Sequence, residues 1–234
     1  MALKLNTDLY AGDNDAQRNL WNSYVQGARQ AVQKAMTEQP NKYSYVPDKS
    51  VFNSLPNIVT HAVTATCLSV FALEFRLKRV LLVLAKRDKA IQLGSAATQL
   101  SKAQAKCIGN LELSTLIKCD EFWFVLGKYR NFLGVNTCTI DALGRSHWTS
   151  LEPQLRFAKD LRNAFVHGDA AKLDKTLDLN ALQNPVSQSQ LCKRAQSVFN
   201  GFVDVMAMIN LYTDYPIKSK TLKAALAEYA HLRV

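Results

Sequence analysis

The five cysteines of this 234-residue chain make no C-x-x-C pair: Cys67, Cys107, Cys119, Cys138 and Cys192 are never closer than twelve residues. An odd number at such spacing excludes a disulfide framework and a zinc knuckle, and reduced thiols point to a reducing compartment. The four histidines, His61, His147, His167 and His231, are not spaced to share an ion, so neither a metal nor another cofactor is expected. The chain also lacks a glycine-rich phosphate loop, a G-x-S-x-G elbow and a paired-carboxylate signature. No segment reads as a sheet strand. The opening residues, MALKLNTDLYAGDND, hold no apolar core of signal-peptide length. The longest apolar stretch, His61–Leu84, is broken by Glu74, Arg76, Lys78 and Arg79, which marks a core helix rather than a membrane span. A soluble, cytoplasmic protein with no membrane partner is expected.

What the chain does have is apolar content of 48% and a surplus of positive charge, 29 Lys and Arg against 19 Asp and Glu, for a net +10. The first supports a substantial core at this length. The second favours an anionic partner, of which nucleic acid is the commonest.

Helical periodicity runs through most of the sequence. Residues 14–38 place apolar side chains at 20, 21, 24, 25, 28, 32 and 36, one face of a helix with Asp13 or Asn14 as its N-cap. Pro40 and Pro47 then bound a loop with two tyrosines. Residues 57–90 form the longest helix, apolar nearly all round to 73 and basic at its end, with Asn57 as cap. A weaker helix is read at 94–108 and a stronger one at 111–133, where Phe122, Trp123 and Phe124 read as core and dimer packing. Residues 135–147 read as loop, 148–167 as helix stopped by Gly168, 174–185 as a connection, 187–213 as the last long helix and 219–232 as a short one. The expectation is an all-α bundle of five or six helices in a single domain, 1–234. Its core spans about 57–213, with an N-terminal helix and loop over 1–50 and a C-terminal helix over 219–232.

One cluster departs from plain amphipathicity: Arg162, Asn163 and His167 in the segment LRNAFVHG. Imidazole is the side chain whose ordinary pKa lies near neutrality, which suits it to moving a proton. Guanidinium is permanently charged and forked, matching phosphate oxygens and the charge of a phosphoryl transition state. Asn163 could orient either partner. Five residues on a helix rotate by about 140°, so Arg162 and His167 do not converge on one face. A second copy across a two-fold axis could complete the site. A plainer reading is also open: basic residues in a last helical turn suit the dipole.

LRNAFVHG resembles the R-[N/H/D]-x-x-x-H motif of the HEPN superfamily (higher eukaryotes and prokaryotes nucleotide-binding domains), and SVFALEFRLKRVL resembles that family's second helix. The resemblance implies a HEPN-like, dimerising helical bundle in which two motifs face one cleft. It further implies a metal-independent endoribonuclease with RNA as substrate. In it His167 handles the proton of the ribose 2′-hydroxyl or of the leaving 5′-oxygen, Arg162 binds the phosphate and Asn163 positions them. A toxin or phage-defence role with an antitoxin partner comes from the family alone. Glu74 has two readings, a partner for Lys78 at i,i+4 or a support for the site from the neighbouring helix. One departure concerns Asp169, which stands where HEPN toxins neutralised by a nucleotidyltransferase often carry tyrosine. The alternatives are a non-catalytic HEPN module that binds RNA or nucleotide or serves as a dimeric scaffold, and an all-α interaction protein whose motif is fortuitous.

Overall fold

In a computed structural model, the residues described are 15–42, 55–92, 142–213 and 222–234. The expected helices over 94–108 and 111–133, the aromatic cluster at 122–124 and the tyrosines of the 40–47 loop lie outside them. Among the described residues all regular structure is helical: α1 (Asp15–Thr37), α2 (Asn57–Gln92), α3 (Ala142–Val166), α4 (Ala170–Leu177), α5 (Pro185–Thr213) and α6 (Leu222–Glu228), with 3-10 turns at Ala181–Gln183 and Ala230–Leu232. The all-α class holds for these residues. By contacts the chain divides into two compact units, one of Met1–Asn22 with Leu73–Arg145, the other of Ser23–Ala72 with Ser146–Val234.

In the second unit, α1 buries Val25, Ala28, Val32 and Ala35, a stripe one turn apart at each step, while Met36 near its end is 42% exposed. Gly27 lets α1 approach α2 closely, since a Cβ there would stand 3.1 Å from Leu68. Tyr24 meets Phe71 with ring centroids 6.0 Å apart. The stretch Asn57–Arg76 is long and apolar enough to cross a membrane by length and composition, with mean hydropathy 1.6. Yet 61% of it is buried within the protein, the mark of a core helix. Its polar residues there are satisfied locally: Thr66 and Ser69 donate to the carbonyls of Ala62 and Ala65 at 2.9 and 2.7 Å. His61, expected as a satisfied core residue, is instead half-buried with its Nε2 3.7 Å from Glu38.

Several boundaries differ from the sequence reading. Asn57 is the first helical residue rather than the cap, because the Pro56 carbonyl accepts from the Thr60 amide at 2.9 Å. α3 starts at Ala142, inside what reads as loop, and continues through Pro153, whose ring removes one helical hydrogen bond. The expected connection over 174–185 holds the second half of α4 and a 3-10 turn. α4 exists because Asp169 caps it, accepting from the Lys172 amide at 2.9 Å, and because Leu173 and Leu177 bury one face. α5 begins two residues early, with Pro185 in the first helical position where its missing N–H costs nothing.

α3 and α5 pack closely in this unit. A Cβ at Gly201 would stand 2.9 Å from Leu151, and the Arg194 guanidinium lies 3.6 Å above the Phe157 ring. Burial there pulls the Arg194 pKa below its ordinary value. Gln188, fully buried, donates to the carbonyls of Asn41 and Leu182 at 2.7 and 2.8 Å and accepts from the Asn41 amide at 3.2 Å. One side-chain amide thereby fixes the segment after α1 to the start of α5.

Candidate functional site

The motif sits where α3 ends, and backbone chemistry sets that end. Gly168 takes φ +63°, a left-handed conformation that glycine adopts without steric cost. The Asp169 amide then reaches back to the Ala164 carbonyl at 2.9 Å and the Gly168 amide to the Phe165 carbonyl at 3.2 Å. That pair of bonds is a Schellman closure with His167 as the C-cap. The His167 amide still donates to the Asn163 carbonyl at 3.1 Å, so Asn163 and His167 are joined through the main chain. Asp169, the departure from the tyrosine pattern, caps α4 directly after this turn.

The two principal residues have opposite environments. His167 is exposed, and its neighbours Phe165 and Val166 are 40% and 51% exposed. Arg162 is 9% exposed, on the packed side of α3 between the fully buried Leu161 and Ala164. Its guanidinium carbon lies 5.6 Å from the centroid of Phe71 on α2. The same charge acts on the buried Cys67 thiol, whose pKa burial pushes up to about 12 against the lowering effect of Arg162. Asn163 is half-buried between the two environments. Within one chain, therefore, the imidazole faces solvent while the guanidinium faces the core. This is the divergence that five-residue spacing implies.

Glu74 is half-buried on α2, in the first unit. Its expected partner Lys78 lies outside the residues whose side chains are described. Among the described residues, no three His, Cys, Asp or Glu side chains gather where they could share a metal ion. An open groove of about 830 Å³ lies between Lys42 and the start of α5, lined also by Asn180, Gln183, Asn184 and Ser187. Neither Arg162 nor His167 lines it. No periodicity marked those residues in the sequence, because they come together only when Gln188 ties Asn41 to α5.

Compared with protein-family models, with curated proteins and with solved structures, the chain has no match in any of the three.

Proposed function

We propose that this chain is a metal-independent endoribonuclease of the HEPN type, working as a cytoplasmic homodimer with two motifs facing one cleft. The carrying observation is the exposed His167 held as a helix C-cap, with Phe165 and Val166 presenting apolar surface beside it. An apolar shoulder next to a solvent-facing imidazole suits a contact with a second copy that brings the two histidines together. In the cleavage, the ribose 2′-oxygen attacks its own phosphorus, the bond to the 5′-oxygen breaks, and a 2′,3′-cyclic phosphate forms. One imidazole takes the 2′-hydroxyl proton, and a proton is delivered to the leaving 5′-oxygen by the other. This reading gives Asn163 the placing of His167 and Arg162 the phosphate charge, for which the guanidinium must turn out from Phe71. The net charge of +10 attracts the RNA backbone. The setting in this reading is a toxin or phage-defence effector restrained by an antitoxin.

The test is purified protein with RNA in EDTA, beside Arg162→Ala and His167→Ala. Chelator-resistant cleavage lost in both folded variants is the expected result. A second reading draws on the burial of Arg162 over Phe71, which suits a packing role. In that reading the chain is a non-catalytic module that binds RNA or nucleotide, or a dimeric scaffold. RNA binding without cleavage would select it.

A further inference from the structure

α5 carries a second feature, independent of the motif. Gln196, Asn200 and Asp204 follow one another at four-residue steps and so form a stripe, each about 6 Å along the axis from the last. The segment after α6 lies along this stripe. Asn200 reads the main chain of Val234 at both ends: its Nδ2 donates to the carbonyl at 3.1 Å, and its Oδ1 accepts from the amide at 3.2 Å. Gln196 Nε2 donates to the same carbonyl at 2.8 Å. The Arg233 guanidinium donates to the Asp204 carboxylate, a side chain only 8% exposed. Arg233 itself is extended, at φ −65° and ψ 158°, after the 3-10 turn Ala230–Leu232.

Two properties separate this from ordinary packing. The first is that none of the described side chains from Lys223 to Val234 is buried. The segment's end meets α5 through the main chain of Val234 and the Arg233 guanidinium, the kind of contact by which an extended peptide is recognised by a protein surface. The second is the setting of the charge contact: Arg233 gives its guanidinium to a carboxylate that is only 8% exposed, where a cation able to donate to it is favoured. A guanidinium, planar and forked, suits a carboxylate better than a lysine ammonium does.

We propose that the Gln196–Asn200–Asp204 stripe is a peptide-recognition site for an extended segment with arginine followed by a residue read through its main chain. Residues Arg233 and Val234 fill it in cis. Asp204 selects the arginine, Asn200 fixes the register of the next residue by pairing with its amide and carbonyl, and Gln196 closes the far end. A bound segment therefore exchanges with any extended peptide of the same pattern.

The test uses the full chain and a fluorescein-labelled peptide with the sequence of Tyr229–Val234. The variant Arg233→Ala, which weakens the cis occupant, is expected to bind the peptide about tenfold more tightly than the unaltered chain, because a competing occupant lowers apparent affinity by the fraction of sites it leaves open. Adding Asp204→Asn to that variant should weaken binding again by about tenfold, the loss of a charge-assisted bond. A peptide with alanine in place of its arginine should not bind. Equal binding of the two peptides, or no binding by the folded Arg233→Ala chain at about 1 mM peptide, the weak end of measurable affinity, would overturn the proposal. If Arg233→Ala costs the chain its helical circular dichroism, the unaltered chain decides. Excess arginine peptide should speed hydrogen exchange at the Val234 amide, and an unchanged rate contradicts the site.

Discussion

Replacing Arg162 and His167 by alanine should affect stability very differently, and the structure sets the size of the difference. Arg162 is 9% exposed and its guanidinium lies over Phe71. A desolvated cation–π contact contributes about 1–2 kcal/mol. The two stem methylenes lost beyond Cβ contribute roughly 0.8 kcal/mol each. Against these stand about 1–2 kcal/mol of side-chain freedom recovered on truncation and a few tenths from alanine's better helix propensity. The net expected loss is about 1.5 kcal/mol, which for a chain of this size lowers Tm by about 3–6 °C. His167 is exposed at the C-cap, so His167→Ala should stay within about 0.5 kcal/mol. Thermal unfolding followed by circular dichroism at pH 7 measures both. An Arg162→Ala chain melting within a degree of the unaltered protein would refute the buried placement, and an equal fall in His167→Ala would refute the exposed one. The separation also decides how activity data are read, since lost cleavage in His167→Ala could not then be assigned to unfolding.

Other outcomes follow from single features of the second unit. Gly168→Ala meets no atom within 4 Å but must hold φ at +63°, so denaturant titration should show a loss of about 1 kcal/mol from backbone strain alone. Asp169→Ala removes the bond to the Lys172 amide, for an expected loss of about 1 kcal/mol, read as faster hydrogen exchange in α4. Burial pushes the Cys67 thiol up to about 12 and the Cys192 thiol up to about 11, from an ordinary 9.0. Both should therefore resist alkylation at pH 8 in the native protein and react only after unfolding, as peptide mass spectrometry would record. The same shifts give stability a sign. The native state keeps these protons longer than the unfolded chain, so the contribution is full below pH 9 and declines as pH rises through 9 toward 11 and 12, by at most about 1.4 kcal/mol per unit for each thiol.

The sequence carries the helices whose stripes are long and whose ends are chemically marked. α1 lies within a residue of its expected bounds because its apolar stripe runs for several turns, and the end of α3 is legible in Gly168, which the left-handed turn requires. α4 is not legible, since eight residues with two buried leucines give too little periodicity and its cap does not stand out from loop composition. The start of α3 is missed because Gly144, Ser146 and His147 are weak helix formers. At the site, the spacing of Arg162 and His167 fixes the angle between them but not which one faces the core. That depends on Phe71, 91 residues earlier in the chain, and on α2 packing against α3. The stripe Gln196–Asn200–Asp204 is equally silent in sequence, because an amide or carboxylate on a half-polar helix face has no signature until a segment pairs with it.

The most direct test of the ribonuclease claim is the fate of one oligonucleotide in three chemical forms, as RNA, as the all-2′-deoxy strand and as the 2′-O-methyl strand, each incubated with the purified protein in EDTA. The 2′-oxygen is the attacking nucleophile in the proposed mechanism. Only the RNA should therefore be cut, leaving a 2′,3′-cyclic phosphate, and His167→Ala should leave it intact at unchanged Tm. Cleavage of the deoxy or methylated strand, or undiminished cleavage by folded His167→Ala, would contradict that mechanism.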